Sequence, residues 1–297
     1  MIELLEAETD ADLEAWRQVK LRVLPGERAP TVEELRAEVD RLFLLAHLDG
    51  ALAGSGLSGP SDAAGRGFLT ARVLPEHRRR GVGTALVHGL EKHCVALGFR
   101  KAGVLVDGAD EGSVAFARRF GFEERRRDVE QVRFIGDEKP PPPPPEGVEM
   151  AVVAERPGLL RDAYGLATEG YADMALDEEL DIPREQWLRE EATLPEASFV
   201  ALSDGEIIGY AGLLEWPGDP TRAEHGLTVV RRAWRGRGVA PALKRRQISW
   251  ASANGLRELV TWTQRGNENM RRVNERLGYQ YRGLTLAMIA PLPLRRP

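Results

Sequence analysis

The sequence predicts an α/β protein built from two tandem copies of one fold, each a mixed central sheet flanked by helices. Three observations lead there. A Gly/Arg string between a predicted strand and a predicted helix occurs twice, at residues 78–83 and 235–240. The same offset of 157 positions separates these strings and also separates Gly121-Phe122 from Gly278-Tyr279. Two independent landmarks at one period indicate an internal repeat. Between the copies, residues 140–145 are six consecutive prolines, which can join neither a helix nor a central strand and favour an extended spacer. The expected organisation is an N-terminal domain over residues 1–139, a proline-rich linker over 140–147 and a C-terminal domain over 148–297.

The two copies read in the same order. Residues 11–22 and 158–171 carry apolar side chains at helical spacing. Short apolar runs at 42–47 and 199–202 predict buried strands. Each is followed by Asp-Gly (Asp49-Gly50, Asp204-Gly205) and a second strand opening at Leu52 or Ile207, the pattern of a hairpin. Strands at 68–73 and 226–230 lead into the Gly/Arg strings. The helices that follow are marked by Leu86, Val87, Leu90 and Cys94 and, less regularly, by Ala240, Leu243, Ile248 and Ala251. Strands at 102–106 and 259–263 come next, then a late helix ending in Gly-Phe or Gly-Tyr.

Bulk properties narrow the function classes. With 42% hydrophobic and 29% charged residues, the composition is that of a globular protein. A net charge of −5 argues against a dedicated nucleic-acid binder. Cys94 is the single cysteine, which excludes an intrachain disulfide and a multi-cysteine zinc site, and no HExxH spacing occurs among the histidines. No metal is expected. The acidic N-terminal stretch lacks signal-peptide character, and no run approaches the length of a membrane span. The expectation is a cytoplasmic protein with no membrane partner.

The Gly/Arg strings carry the chemistry. Backbone N–H groups gathered at a helix N-terminus make a nest for a phosphate or diphosphate. Gly81 and Gly83, or Gly236 and Gly238, remove the Cβ atoms that would hold phosphate away, with Val82, Val239 and Ala240 supplying main chain. Arg78, Arg79 and Arg80 in the first copy, and Arg231, Arg232, Arg235 and Arg237 in the second, add positive charge. One such string also fits a tight turn beside a solvated basic face; two in the same strand–loop–helix setting favour phosphate. No Gly-Lys-Ser/Thr follows, so it is not a Walker loop, and GxGxxG is absent from it.

With these loops on the page, the chain resembles the GNAT superfamily of acyl-CoA-dependent N-acyltransferases over nearly its whole length outside the linker. The most specific piece is the late helix, residues 267–279, opening at Asn267; residues 110–122 are a looser version. The resemblance implies acetyl-CoA as cosubstrate and direct attack of a primary amine on the thioester in a ternary complex. It assigns acyl-carbonyl polarisation to backbone amides at the strand ends, Val73-Leu74 and Val230-Arg231, and places Asn267 beside the pantetheine. It also implies a carboxylate eleven residues before the loop's first arginine. That position is Glu224 in the second copy and Gly67 in the first, so the C-terminal half is expected to be catalytic and the N-terminal half supporting or degenerate. The tyrosine many members carry in the late helix is replaced by Ala117 and Asn274, which leaves water, Tyr279 or Tyr281 to protonate the thiolate. His225 is expected to be structural. Asp173, Asp177, Glu178, Glu179 and Asp181 can attract a cationic amine or form a solvated helix end, and Trp187, Trp216 and Trp262 can line a pocket or pack a core.

The leading expectation is thus an N-acetyltransferase acting on a small-molecule amine, as a monomer or homodimer. Two alternatives stay open: a non-catalytic acyl-CoA-binding or regulatory module, and a protein or peptide N-acetyltransferase.

Overall fold

The computed structural model describes residues 1–27, 29–61, 65–173, 182–264 and 266–296. It divides into two compact units, and neither is continuous with the halves expected from the linker. Unit 1 comprises Met1–Arg126 and Thr285–Pro297; unit 2 comprises Arg127–Leu284.

Unit 1 runs β1 (Ile2–Glu6), α1 (Asp10–Val23), α2 (Val32–Ala37), β2 (Leu42–Leu48), β3 (Ala51–Pro60), β4 (Gly67–Val73), α3 (Val82–Ala96), β5 (Lys101–Asp107) and α4 (Glu111–Arg119). The long strand β6 (Glu123–Phe134) then leaves it. Unit 2 continues with β7 (Glu149–Val152), α5 (Gly158–Ala172), α6 (Arg184–Glu190), β8 (Phe199–Ser203), β9 (Glu206–Glu215), β10 (Arg222–Val230), α7 (Val239–Ala253), β11 (Glu258–Gln264), α8 (Glu268–Arg276) and β12 (Gln280–Pro291).

The two long strands explain the division. Residues Asp128 to Phe134 of β6 pair antiparallel with β11 of unit 2, whereas Thr285 to Pro291 of β12 pair antiparallel with β5 of unit 1. Each copy therefore lends its last strand to the other. The strand order is β1-β2-β3-β4-β5-β12 in unit 1 and β7-β8-β9-β10-β11-β6 in unit 2. The expected division at residues 140–147 follows chain order, but a strand belongs to the sheet whose hydrogen bonds it completes.

Local chemistry fixes the elements as anticipated. Thr9 and Thr31 open α1 and α2 with capping boxes, each accepting from the N3 amide while Asp12 or Glu34 reaches back. The Asp-Gly pairs turn both hairpins with positive φ, 52° and 84° at Asp49-Gly50 and 49° and 79° at Asp204-Gly205. In unit 1 Leu13, Trp16, Leu35, Phe43 and Leu45 form a core under α1 and α2. In unit 2 one face of the sheet packs Ala163, Leu166, Trp187, Leu227 and Val229 beneath α5 and α6. The opposite face packs Ile208, Val230, Val239 and Leu243 beneath α7.

Candidate active site

Each sheet opens into a fork. In unit 2, β10 and β11 pair in parallel at Arg222↔Glu258, Ala223↔Leu259 and Glu224↔Val260, and then part while β10 continues to Val230. In unit 1, β4 and β5 pair at Gly67↔Ala102 and Phe68↔Gly103 and part in the same way. Hydrogen-bonding direction alternates along a strand. Leu74 N–H donates to Ala53 O and Arg231 N–H to Ile208 O, both at 2.9 Å. The amides of Val73 and Val230 therefore face away from those partners, toward the fork. Of the two amides expected in each half, the sheet has claimed Leu74 and Arg231.

At the mouth of each fork lies the Gly/Arg loop. Gly81 (φ 86°) and Gly238 (φ 85°) are the N-caps of α3 and α7, left-handed and without a side-chain cap. The first-turn amides of Val82, Gly83 and Thr84, and of Val239 and Ala240, have no partner within their helices; Pro241 has no N–H to offer. A second left-handed residue precedes each cap, Arg79 at φ 62° and Gly236 at φ 77°. A Cβ built on Gly236 meets nothing within 4 Å, and one on Gly238 meets Pro145 Cγ at 3.7 Å. Unclaimed helix amides behind open space are what a diphosphate requires.

The arginines take different tasks. Arg78 and Arg235 donate Nε to the carbonyls of Val73 (3.3 Å) and Val230 (2.9 Å), tying each loop to its fork strand. Arg232 and Arg235 also pair with Asp173, whose carboxyl their hydrogen bonds hold down at about 2. Asp173 thus belongs to the loop. Asp177, Glu178, Glu179 and Asp181 lie outside the described residues. Arg231 donates to Ile207 O, Arg237 stacks on Trp234 at 4.9 Å, and Arg80 pairs with Asp49 at 3.2 Å.

The model of the Acetyltransferase (GNAT) family matches this chain twice, over residues 3–122 and 160–279. The chain belongs to the GNAT acetyltransferase family. A curated relative, the mycothiol acetyltransferase of Brachybacterium faecium, is 30% identical over 241 residues, covering 76% of this chain and 69% of its own. A GCN5-related N-acetyltransferase from Sphaerobacter thermophilus superposes with a TM-score of 0.78 at 20% identity, covering 100% of this chain and 96% of that one. A tandem GNAT protein from the clavulanic acid biosynthesis pathway gives 0.75 at 20% identity, with 98% of each chain covered. These likenesses establish two GNAT folds in tandem.

The two GNAT units differ where it matters. In unit 1 the β3–β4 register runs unbroken from Gly54↔Val73 to Pro60↔Gly67. In unit 2 the β9–β10 register shifts between His225 and Thr228, a bulge that places one extra residue in β10. Its effect on facing is visible in the packing. Ala223 and His225 lie under α7, whereas beyond the bulge Leu227 and Val229 pack under α5 and α6. Glu224, next to His225 and on the other side of the strand, therefore shares the α5–α6 face. It stands at the last paired position before the fork, partly exposed.

The extra residue also corrects the matching of the halves. Counting by the repeat offset sets Glu224 against Gly67, but the ladders set Ala223 against Gly67 and Glu224 against Phe68. Unit 1 carries no carboxylate by either count. Its α1 face is filled instead: Arg72 lies over the Trp16 ring at 5.4 Å, Trp16 Nε1 donates to Gly56 O at 2.6 Å, and burial lowers the Arg72 guanidinium to about 10.

His225 meets the structural role expected of it, within a polar cluster that sequence reasoning missed. Its Nε2 contacts the Tyr279 hydroxyl, and Lys244 and Gln247 of α7 lie beside it, all buried. Lys244 Nζ sits 5.2 Å from the Tyr279 ring centroid, and desolvation lowers the amine to about 7. Tyr279 is thus a buried partner of His225, its phenol raised by burial, whereas Tyr281 is exposed. Asn274 donates to Gln131 Oε1 (3.0 Å) and Thr263 Oγ1 (3.2 Å) in the core. Asn267 is the N-cap of α8 and accepts from Met270 N–H at 3.3 Å, as Asp110 caps α4 by accepting from Ser113 N–H at 3.0 Å. Trp187 and Trp216 are buried, Trp216 under Arg222, and Trp262 is partly exposed. Among the described residues no group of three or more His, Cys, Asp or Glu side chains is placed to hold a metal, and no helix is long and apolar enough to cross a membrane.

Proposed function

We propose that the chain is an acetyl-CoA-dependent N-acetyltransferase for a small-molecule primary amine, with unit 2 as the catalytic unit. The observation that carries this reading is the conjunction in unit 2 of an unclaimed helix nest, a fork strand with Val230 N–H directed inward, and Glu224 at the apex on the α5–α6 face. The residues fit a CoA diphosphate: Arg235, Gly236, Arg237, Gly238, Val239 and Ala240 would hold it, and Arg78 to Gly83 offer the same loop in unit 1. Acetyl-CoA supplies the activated acyl group. The relative named a mycothiol acetyltransferase supports acetyl as the group moved.

The work left to the chain is proton handling and carbonyl polarisation. An alkylamine is protonated at neutral pH, and freeing its lone pair costs about 4 kcal/mol. Glu224 takes that proton as the amine enters from the α5–α6 face. The Val230 amide donates to the oxygen on which negative charge develops. The test is thiol release from acetyl-CoA across a panel of primary amines. Glu224→Gln is expected to lower kcat by about 10²–10³-fold at pH 7 with acetyl-CoA KM unchanged. Wild-type turnover in that variant would remove Glu224 from the mechanism, and no turnover of any amine by wild type would remove the transferase reading.

A further inference from the structure

The α5–α6 face of unit 2 holds a second carboxyl that the transfer reading leaves unused. Glu191 closes α6, and its side chain reaches β10, where Oε1 accepts the Leu227 N–H inside the bulge. Glycines make the room. A Cβ on Gly212 would lie 2.6 Å from Glu191 Oε1, and one on Gly226 would lie closer still. Tyr210 secures the turn from β9, its hydroxyl donating to the Glu191 carbonyl at 3.4 Å. Glu191 keeps intermediate exposure although its carboxyl lies deep in the protein mass, the situation of a group on a cleft floor.

Unit 1 supplies the contrast. Its fork strand has no bulge, Leu57 occupies the register position of Gly212, and Phe68 occupies that of Glu224. Bulge, glycine cradle and fork carboxylate are thus present together in unit 2 and absent together from unit 1. The bulge breaks the strict alternation of β10 and sets Glu224 on the same face as Leu227 and Val229. A bulge leaves an amide without a ladder partner, and Glu191 provides that amide with an acceptor.

We propose that Glu191 is a positioning residue of the transfer site: by holding the Leu227 amide, it fixes the bulge that turns Glu224 toward the acceptor. The proposal rests on the reading of Glu224 as proton acceptor. Burial pushes the Glu191 carboxyl up to about 8, so the neutral acid is the form that accepts this bond at pH 7. Glutamine reproduces its shape, its neutrality and its acceptor oxygen.

The experiment compares Glu191→Gln, Glu191→Ala and Gly226→Ala with wild type in the full chain. Amide hydrogen exchange over residues 224–230 is followed with unit 1 peptides as internal control, alongside thiol release from acetyl-CoA with the amine panel. Glu191→Ala removes the acceptor, and Gly226→Ala evicts the carboxyl without touching it. Both are expected to speed exchange over 224–230 by about tenfold or more and to lower kcat by about tenfold, the loss of roughly one hydrogen bond, while acetyl-CoA KM stays within twofold. Glu191→Gln restores both readouts. Unchanged exchange in Glu191→Ala, a defect confined to KM, or a Glu191→Gln variant as impaired as Glu191→Ala would each overturn the proposal. Should wild type acetylate no amine, the transferase reading falls, and the exchange measurement still decides whether Glu191 fixes the bulge.

Discussion

Lys244, His225, Gln247 and Tyr279 occupy positions that unit 1 fills with apolar residues. The α3 and β4 counterparts are Val87, Leu90 and Leu69, and Phe122 stands for Tyr279, all four buried. Lys244 Nζ, His225 Nδ1 and Gln247 Oε1 have no hydrogen-bond partner in the chain, so unit 2 carries a desolvation cost at a site where unit 1 shows that hydrocarbon fits. Lys244→Met is therefore expected to stabilise the protein by on the order of 1–2 kcal/mol, a rise of a few degrees in Tm. The pH dependence follows from linkage. Lys244 falls from an ordinary 10.5 to about 7 on folding, so between those values the unfolded chain holds a proton that the folded one lacks. Stability accordingly rises with pH through that window. Glu191 rises from 4.5 to about 8; there the folded chain holds the extra proton, and stability falls as pH climbs from 4.5 to 8. Thermal denaturation at pH 5, 7 and 9 should show the alkaline slope reduced in Lys244→Met and the acid-to-neutral slope reduced in Glu191→Gln. A Lys244→Met protein less stable than wild type at pH 7 would mean that the amine is held by a contact worth more than its burial costs.

At the scale of elements, the loop–helix junctions make separate predictions for the two units. Gly81 and Gly238 sit in a left-handed conformation that costs an L-residue roughly 1–2 kcal/mol, and a carboxylate at either cap would also face the bound diphosphate. Gly238→Glu is expected to abolish amine-dependent thiol release, whereas Gly81→Glu leaves it intact; titration calorimetry with acetyl-CoA counts the sites each variant retains. Loss of turnover in Gly81→Glu alone would transfer catalysis to unit 1. These junctions were legible in the sequence because nest, glycine and helix are contiguous, and the hairpins were legible because Asp-Gly and apolar runs are local signals. The bulge in β10 was not. Gly226 carries no mark that distinguishes an inserted residue from a paired one, and the extra residue lies inside a constant offset between landmarks. Matching Glu224 to Gly67 instead of Phe68 was the consequence. Glu191 was hidden for a related reason: it lies 36 positions from Leu227, and only the folded chain brings its carboxyl to that amide.

At the scale of the whole molecule, the exchange of β6 and β12 makes the linker a poor place to divide the chain. A fragment of residues 1–139 keeps β1 to β5 but loses β12, which pairs along all of β5 from Lys101 to Asp107. It also loses the C-terminal segment in which Leu294 N–H donates to the buried Glu91 at 2.7 Å. A fragment of residues 148–297 keeps β7 to β11 but loses β6, whose Gln131 and Arg133 bond Asn274 and the Leu277 carbonyl. Each would expose the edge of a sheet that is paired in the native chain, with the attendant tendency to aggregate. Sequence periodicity identifies a strand but not the sheet that receives it, so the proline run alone pointed to two separable domains. The expected outcome is that neither fragment is soluble and cooperatively folded when expressed alone, and that co-expression recovers a complex with acetyl-CoA binding. Cutting a protease site inserted at residues 140–147 of the folded chain should leave the two pieces associated through gel filtration. Independent folding of 1–139 with a sharp thermal transition would contradict the exchange, since that fragment has no strand of its own with which to complete β5.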